Sequence, residues 1–127
     1  MASYAEPRLK SYLADADLSA LQYTFVKLGT DEKHVAAQTT KGGKNLGILM
    51  NKPTSGQEAV VALPGGGAKL KVSETVAQLD YLISGTAGKG EQADAAGQHV
   101  GAMAHDAGVT NDIVAVDVVA FESFDAN

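Results

Sequence analysis

From Tyr23 onward, apolar residues come in short runs, each closed within a few positions by Gly, Pro, Asn or Asp. That punctuation constrains the fold more than any other feature. Glycine occurs 14 times in 127 residues, and a glycine inside a helix costs about 1 kcal/mol relative to alanine. Within the runs, the side chains follow the two-residue period of a strand. Tyr23-Thr24-Phe25-Val26-Lys27-Leu28 reads as a strand stopped by Gly29-Thr30-Asp31, and His34-Val35-Ala36-Ala37-Gln38 as a weaker one. Leu46-Gly47-Ile48-Leu49-Met50 follows the turn Lys41-Gly42-Gly43-Lys44, and residues 58–63 follow Pro53-Thr54-Ser55-Gly56. Pro64-Gly65-Gly66-Gly67 breaks the chain before Ala68-Lys69-Leu70-Lys71-Val72. A strand beginning at Tyr81-Leu82-Ile83 and ended by residues 85–90, then strands at 99–104 and 113–121, complete the set. Many short strands between such turns argue for a mainly β fold, a small barrel or sandwich-like domain.

A chain of this length fits one domain. Aromatics are 6% of the residues and Trp is absent, so the core must be built from Val, Leu, Ile and Ala. Cysteine is absent, which removes disulfides, thiolate metal sites and thiol catalysis. The longest apolar runs fall far short of the roughly 20 residues a membrane helix needs. Met1-Ala2-Ser3-Tyr4-Ala5-Glu6-Pro7 has no basic stretch followed by an apolar one, so no signal peptide is expected.

Residues 1–18 differ from the rest and read as an N-terminal arm ahead of a β-rich domain at 19–127. Leu9, Tyr12, Leu13 and Ala16 follow helical spacing, and Pro7 suits a first helical turn, so one short helix is expected near residues 6–16. Two helical turns are not stable alone in water. The apolar Tyr4, Leu9, Tyr12 and Leu13, with Arg8 and Lys10 beside them, therefore form the candidate contact surface, toward a neighbouring subunit or another protein.

Phe25-Val26-Lys27-Leu28, Leu46-Gly47-Ile48 and Val60-Val61 are echoed by Tyr81-Leu82-Ile83-Ser84, Val100-Gly101-Ala102 and Val114-Ala115, with Gly47 and Gly101, and Val60 and Val114, each 54 positions apart. Either a three-strand unit is duplicated into two halves of a barrel, or Gly/Ala/Val-rich segments resemble one another by chance. Charge is uneven too. Residues 1–71 carry nine of the ten Lys and Arg side chains against six acids, a net of +3; residues 72–127 carry Lys89 against nine acids, a net of −8. One reading is docking of one subunit's front half on another's back half. The other is that the halves interleave in one β-domain, which the rule that sequence charge bears on association and not on fold favours. The overall net charge of −5 argues against a nucleic-acid partner.

No constellation for catalysis or a cofactor stands out. Pro64-Gly65-Gly66-Gly67-Ala68-Lys69 and Gly85-Thr86-Ala87-Gly88-Lys89-Gly90 both miss the spacing of a phosphate-binding loop and read as tight turns. His34, His99 and His105 lack metal-ligand spacing, and no serine sits in a nucleophile elbow. Neither enzyme activity, metal nor cofactor is expected.

Asp17-Leu18-Ser19-Ala20-Leu21-Gln22-Tyr23-Thr24-Phe25-Val26-Lys27-Leu28 and Leu46-Gly47-Ile48-Leu49-Met50-Asn51-Lys52-Pro53, followed by Gly56 and Ala59-Val60-Val61, resemble the small phage capsid cement, or head-decoration, proteins. Val76, Leu79-Asp80-Tyr81-Leu82, Gly101 and residues 113–119 extend the resemblance over roughly residues 15–120. The family commonly shows Gly-Asp where this chain has Leu79-Asp80. The resemblance implies a β-barrel-like homotrimer on the outer surface of the phage head, joining major capsid protein subunits after expansion, with no nucleic acid or membrane as partner. The alternative is a β-rich adhesion or carbohydrate-binding module, against which the absence of Trp counts.

Overall fold

The computed structural model describes residues 8–123, and among them all regular structure is β, in ten strands. These are β1 (Leu9–Ala14), β2 (Phe25–Leu28), β3 (His34–Ala37), β4 (Gly47–Leu49), β5 (Glu58–Ala62), β6 (Gly67–Lys71), β7 (Tyr81–Ser84), β8 (Gly90–Gln92), β9 (His99–Ala104) and β10 (Ile113–Glu122). The first five close into a barrel in the order β1-β3-β2-β4-β5, and the last five form a sheet in the order β6-β10-β9-β7-β8. The expected all-β barrel is therefore present, and the strands expected from Tyr23 onward lie within a few residues of their places.

Residues 9–14 are a correction. They form a strand, not a helix, pairing antiparallel with β5 from Leu9↔Ala62 to Leu13↔Glu58 and parallel with β3 at Leu13↔His34 and Ala14↔Val35. Helical spacing misled because β1 carries apolar side chains on both faces: Tyr12 and Ala14 point into the barrel, while Leu9 and Leu13 point out, 52% and 40% exposed. The described part of the expected arm is thus a stave of the barrel.

The two halves are one unit repeated. In each, the first strand pairs antiparallel with the fifth, the second with the third and fourth, and the fourth with the fifth. The parallel bridge Ala14↔Val35 that closes the first barrel recurs as Val72↔Gly90 between the ends of β6 and β8. Turns repeat as well. Tyr23 and Leu79 take the left-handed conformation (φ 66° and 72°) at matching places, each donating its N–H across the unit, to Leu49 O and Ala104 O respectively. Gly56 and Asn111 (φ 80° and 69°) match in the turn before the fifth strand. The duplication thus spans five strands, not three, and its register is one residue off the sequence echo: Ile48 pairs with Ala62 as Met103 pairs with Asp117, an offset of 55. Nor do the halves interleave. Divided at the Gly65–Gly67 connector, residues 1–64 carry seven basic and six acidic side chains, and residues 65–127 three and nine.

The barrel and the second sheet each have their own interior. Tyr12, Ala14, Leu18, Val26, Val35, Leu49, Ala59 and Val61 fill the first. The second is filled by Leu70, Val72, Leu82, Ala102, Val116 and their neighbours, joined by Phe25, Ile48 and Ala62 of the first half. Those three form one row across β2, β4 and β5 on the outside of the first barrel, so the outer face of one unit completes the core of the other. The joint is closed by backbone bonds: Lys71 N–H donates to Tyr23 O at 2.7 Å, and Phe25 N–H donates to Gly88 O at 2.8 Å. Residues 23–25 thereby fill the gap between β6 and the β7–β8 turn. Gly101 makes room for the ring, since a Cβ there would lie 2.6 Å from Phe25 Cε1. Outside the joint, Gly42 bonds Ser84 and His99, and Lys41 pairs with Asp94 at 2.9 Å.

Phe25 is 1% exposed and belongs to the packing of both units. Phe25→Ala is expected to cost about 3–5 kcal/mol while leaving a single transition for both halves in urea, followed by circular dichroism. A second transition at wild-type stability would contradict the shared core.

Candidate interaction surface

The side chains singled out for contact do not form one patch. Tyr4 lies outside the described residues. Arg8 enters the barrel rim, its Nη1 donating to Pro64 O at 3.0 Å, beside the connector between the halves. Tyr12, 8% exposed, is a core residue, removed from the surface because β1 turns it inward. Arg8, Leu9, Lys10 and Leu13 remain at the surface.

Lys10 and Leu13 line a groove of about 620 Å³ bounded by residues 10–13, by Glu32 and Lys33 in the β2–β3 turn, and by Glu58. The groove exists because β1 is longer than its neighbour. Ala14 N–H donates to Gln57 O and Leu63 N–H to Arg8 O, so even-numbered peptide groups of β1 face β5. Leu13 N–H donates to Lys33 O and Asp15 N–H to Val35 O, so odd-numbered ones face β3. Since β3 begins opposite Leu13, the peptide groups of Leu9 and Ser11 face the same way beyond the end of β3. A strand edge of this kind pairs readily with added chain. Lys10 Nζ stands 5.3 Å from the Tyr12 ring centroid, a cation–π contact that places a positive charge over the barrel mouth.

The turn that walls the groove is held by carboxylates. Asp15 accepts from Thr30 N–H at 2.8 Å and from Thr30 Oγ1 at 3.1 Å, and Asp31 accepts from Lys33 N–H at 2.8 Å. Asp31 Oδ1 also lies 2.7 Å from His34 Nδ1. That hydrogen bond raises the His34 pKa above the ordinary imidazole value and lowers that of Asp31. His99 shifts the other way, because burial, and then Lys44, disfavour its charged form.

Elsewhere the histidines are scattered: His105 Nε2 lies 2.8 Å from Asp117 Oδ2, and among the described residues no three His, Asp or Glu side chains group as metal ligands. Two glycine-rich segments serve as the connector between halves and the β7–β8 hairpin. The second unit exposes a further apolar set that composition and spacing did not mark. It comprises Leu79 at 65%, Tyr81 at 42% and Phe121 at 39%, the two rings meeting edge to face at 5.2 Å. The signal that could have marked it was Leu79, at the place where the cement proteins that this chain resembles commonly show glycine.

No family model matches this chain, and no curated protein matches its sequence. Among solved structures, it is similar to the head fiber gp8.5 N base of bacteriophage phi29, with a TM-score of 0.68 at 12% identity, over 87% of this chain and 92% of that one. At that identity the likeness establishes a shared fold.

Raising the His34 pKa means that folding favours its protonated form. The resulting stabilisation is present below the ordinary imidazole value and is lost as pH rises through the elevated one. An NMR titration should place the His34 midpoint above that of a model peptide, and Asp31→Asn should return it to the peptide value. An unchanged midpoint in Asp31→Asn would show that the pair does not form.

Proposed function

We propose that this protein is a structural, non-enzymatic component of a phage particle. It binds the outer surface of the expanded head as a homotrimer and stabilises contacts between major capsid protein subunits. The observation that carries this reading is the fold it has in common with a phage head fiber base across nearly the whole of both chains. The resemblance of its first two sequence blocks to cement proteins points the same way. A ligand that binds the expanded lattice and not its precursor stabilises the expanded state by mass action. Three linked copies engaging neighbouring capsid subunits gain avidity without new chemistry. The net charge of −5 suits a protein surface better than packaged nucleic acid.

The test uses cognate heads lacking this protein. Purified chain should sediment with expanded heads to a saturating stoichiometry, raise their disruption temperature, and leave unexpanded heads bare. Failure to bind expanded heads, or equal binding to both forms, would refute the proposal.

A further inference from the structure

A repeat whose first copy docks on its second leaves two surfaces unused: the docking face of the second unit and the receiving face of the first. In the first unit, the docking face is the row Phe25, Ile48 and Ala62 with the left-handed turn at Tyr23. By strand register, the same places in the second unit are Tyr81, Met103 and Asp117, with the left-handed turn at Leu79. Phe25, Ile48 and Ala62 are fully covered, whereas Tyr81 is 42% and Leu79 65% exposed. The receiving face of the second unit lies between β6 and the β7–β8 turn, where Lys71 and Gly88 hold residues 23–25. The matching place in the first unit is the groove between β1 and the β2–β3 turn. There the bond from Leu13 N–H to Lys33 O is made directly, so the groove opens farther up the strand, at Ser11 and Leu9.

We propose that the chain associates head to tail, the Leu79 turn and the Tyr81–Met103 face of one copy seating in the β1 groove of the next, as its own first half seats on its second. Three observations select a second copy as the occupant. The first is the contact inside the chain, in which the matching faces of the two units, Phe25, Ile48 and Ala62 against the place between β6 and the β7–β8 turn, already pack on each other. The second is charge. At the internal joint Ala62 and Ala68 share one apolar cluster; the matching residues between copies are Asp117 on the docking face and Lys10 on the receiving one. The groove also offers Lys33 opposite a second unit that carries six more acids than bases. Glu32 and Glu58 line the same groove, so its overall charge is balanced and the match rests on Lys10 standing at the place that answers Asp117. The third is strain. A leucine in the left-handed region is disfavoured, and a large apolar residue held there in solvent has no role in its own core. Seated in the groove, the 65% exposed Leu79 gains the partial cover that Tyr23 has beside the internal joint.

Such a contact is heterologous and closes into a ring when its rotation permits. It deepens the self-association in the proposed function without depending on a capsid. The test is sedimentation equilibrium of the full chain, from micromolar to millimolar, with two variants. Leu79→Asn disables the docking face and suits the left-handed turn better than leucine does. Lys10→Glu disables the receiving face at an exposed site. The wild type should associate, and each variant should associate at least about tenfold more weakly. An equimolar mixture of the two should stop at a heterodimer, since one intact face of each kind remains. A wild type that stays monomeric, a variant that associates as tightly as the wild type, or a mixture without heterodimer would overturn the inference. Binding to expanded heads is scored separately: a monomer that still binds them contradicts the head-to-tail contact and leaves capsid binding standing, and an oligomer that ignores them contradicts only the capsid reading.

Discussion

The structure depends on one act of burial, the insertion of Phe25 with Ile48 and Ala62 from the barrel into the core of the second sheet. Neither unit is well provided alone. Aromatics are few, the second sheet closes on itself through a single parallel bridge, and small antiparallel units have little core to spare. Sharing a face removes an apolar row of the first unit from water and fills the gap in the second. Gly101 and Gly88 keep the approach clear: at either position a Cβ would press on Phe25 or on its neighbour Thr24. The backbone bonds of Tyr23 and Phe25 then fix the depth of insertion, as hydrogen bonds between strands fix register.

From this joint the exposed surfaces follow. Asymmetric packing of the repeat leaves the two units in different surroundings, and their side chains differ accordingly. Phe25 is dry, whereas Tyr81 at the same place carries a hydroxyl and stays half exposed. Ala68 is buried at the joint, whereas Lys10 at the same place stands over Tyr12. Charge follows the same division, with acids gathered in the second unit. Lys41 already uses that difference within the chain, pairing with Asp94 and lying 3.8 Å from Glu91. Exposed pairs of this sort are worth at most about 1 kcal/mol, so they select partners and orientation more than they hold the fold.

Much of this was legible in the sequence, and the failures have physical causes. Strands β2, β4, β5, β6, β9 and β10 announce themselves by alternation between glycine- and proline-marked turns. β1 did not, because Leu9, Tyr12 and Leu13 satisfy a helical period as well as they satisfy a two-faced strand, and only pairing with β5 decides between them. β8 did not, because Gly90-Glu91-Gln92 has no apolar signal and is a strand only by its bonds to β7. The internal repeat was visible through Val60 and Val114 but one residue out of step, since turns of unequal length shift the offset from strand to strand. Tyr12 looked like a surface residue until its face of β1 was known. Leu79 could be noticed in the sequence, but its left-handed backbone and its match to Tyr23 required the fold.

Native-state hydrogen exchange tests the shared joint most directly. If the two units form one cooperative body through residues 23–25, the amides of Phe25 and Lys71, which bond across the joint, should exchange only through global unfolding. Their opening free energy should then equal that of the central β9 and β10 amides. Exchange of these two amides through a separate, lower-energy opening, with β9 and β10 still protected, would mean that the units are independently stable and merely rest side by side.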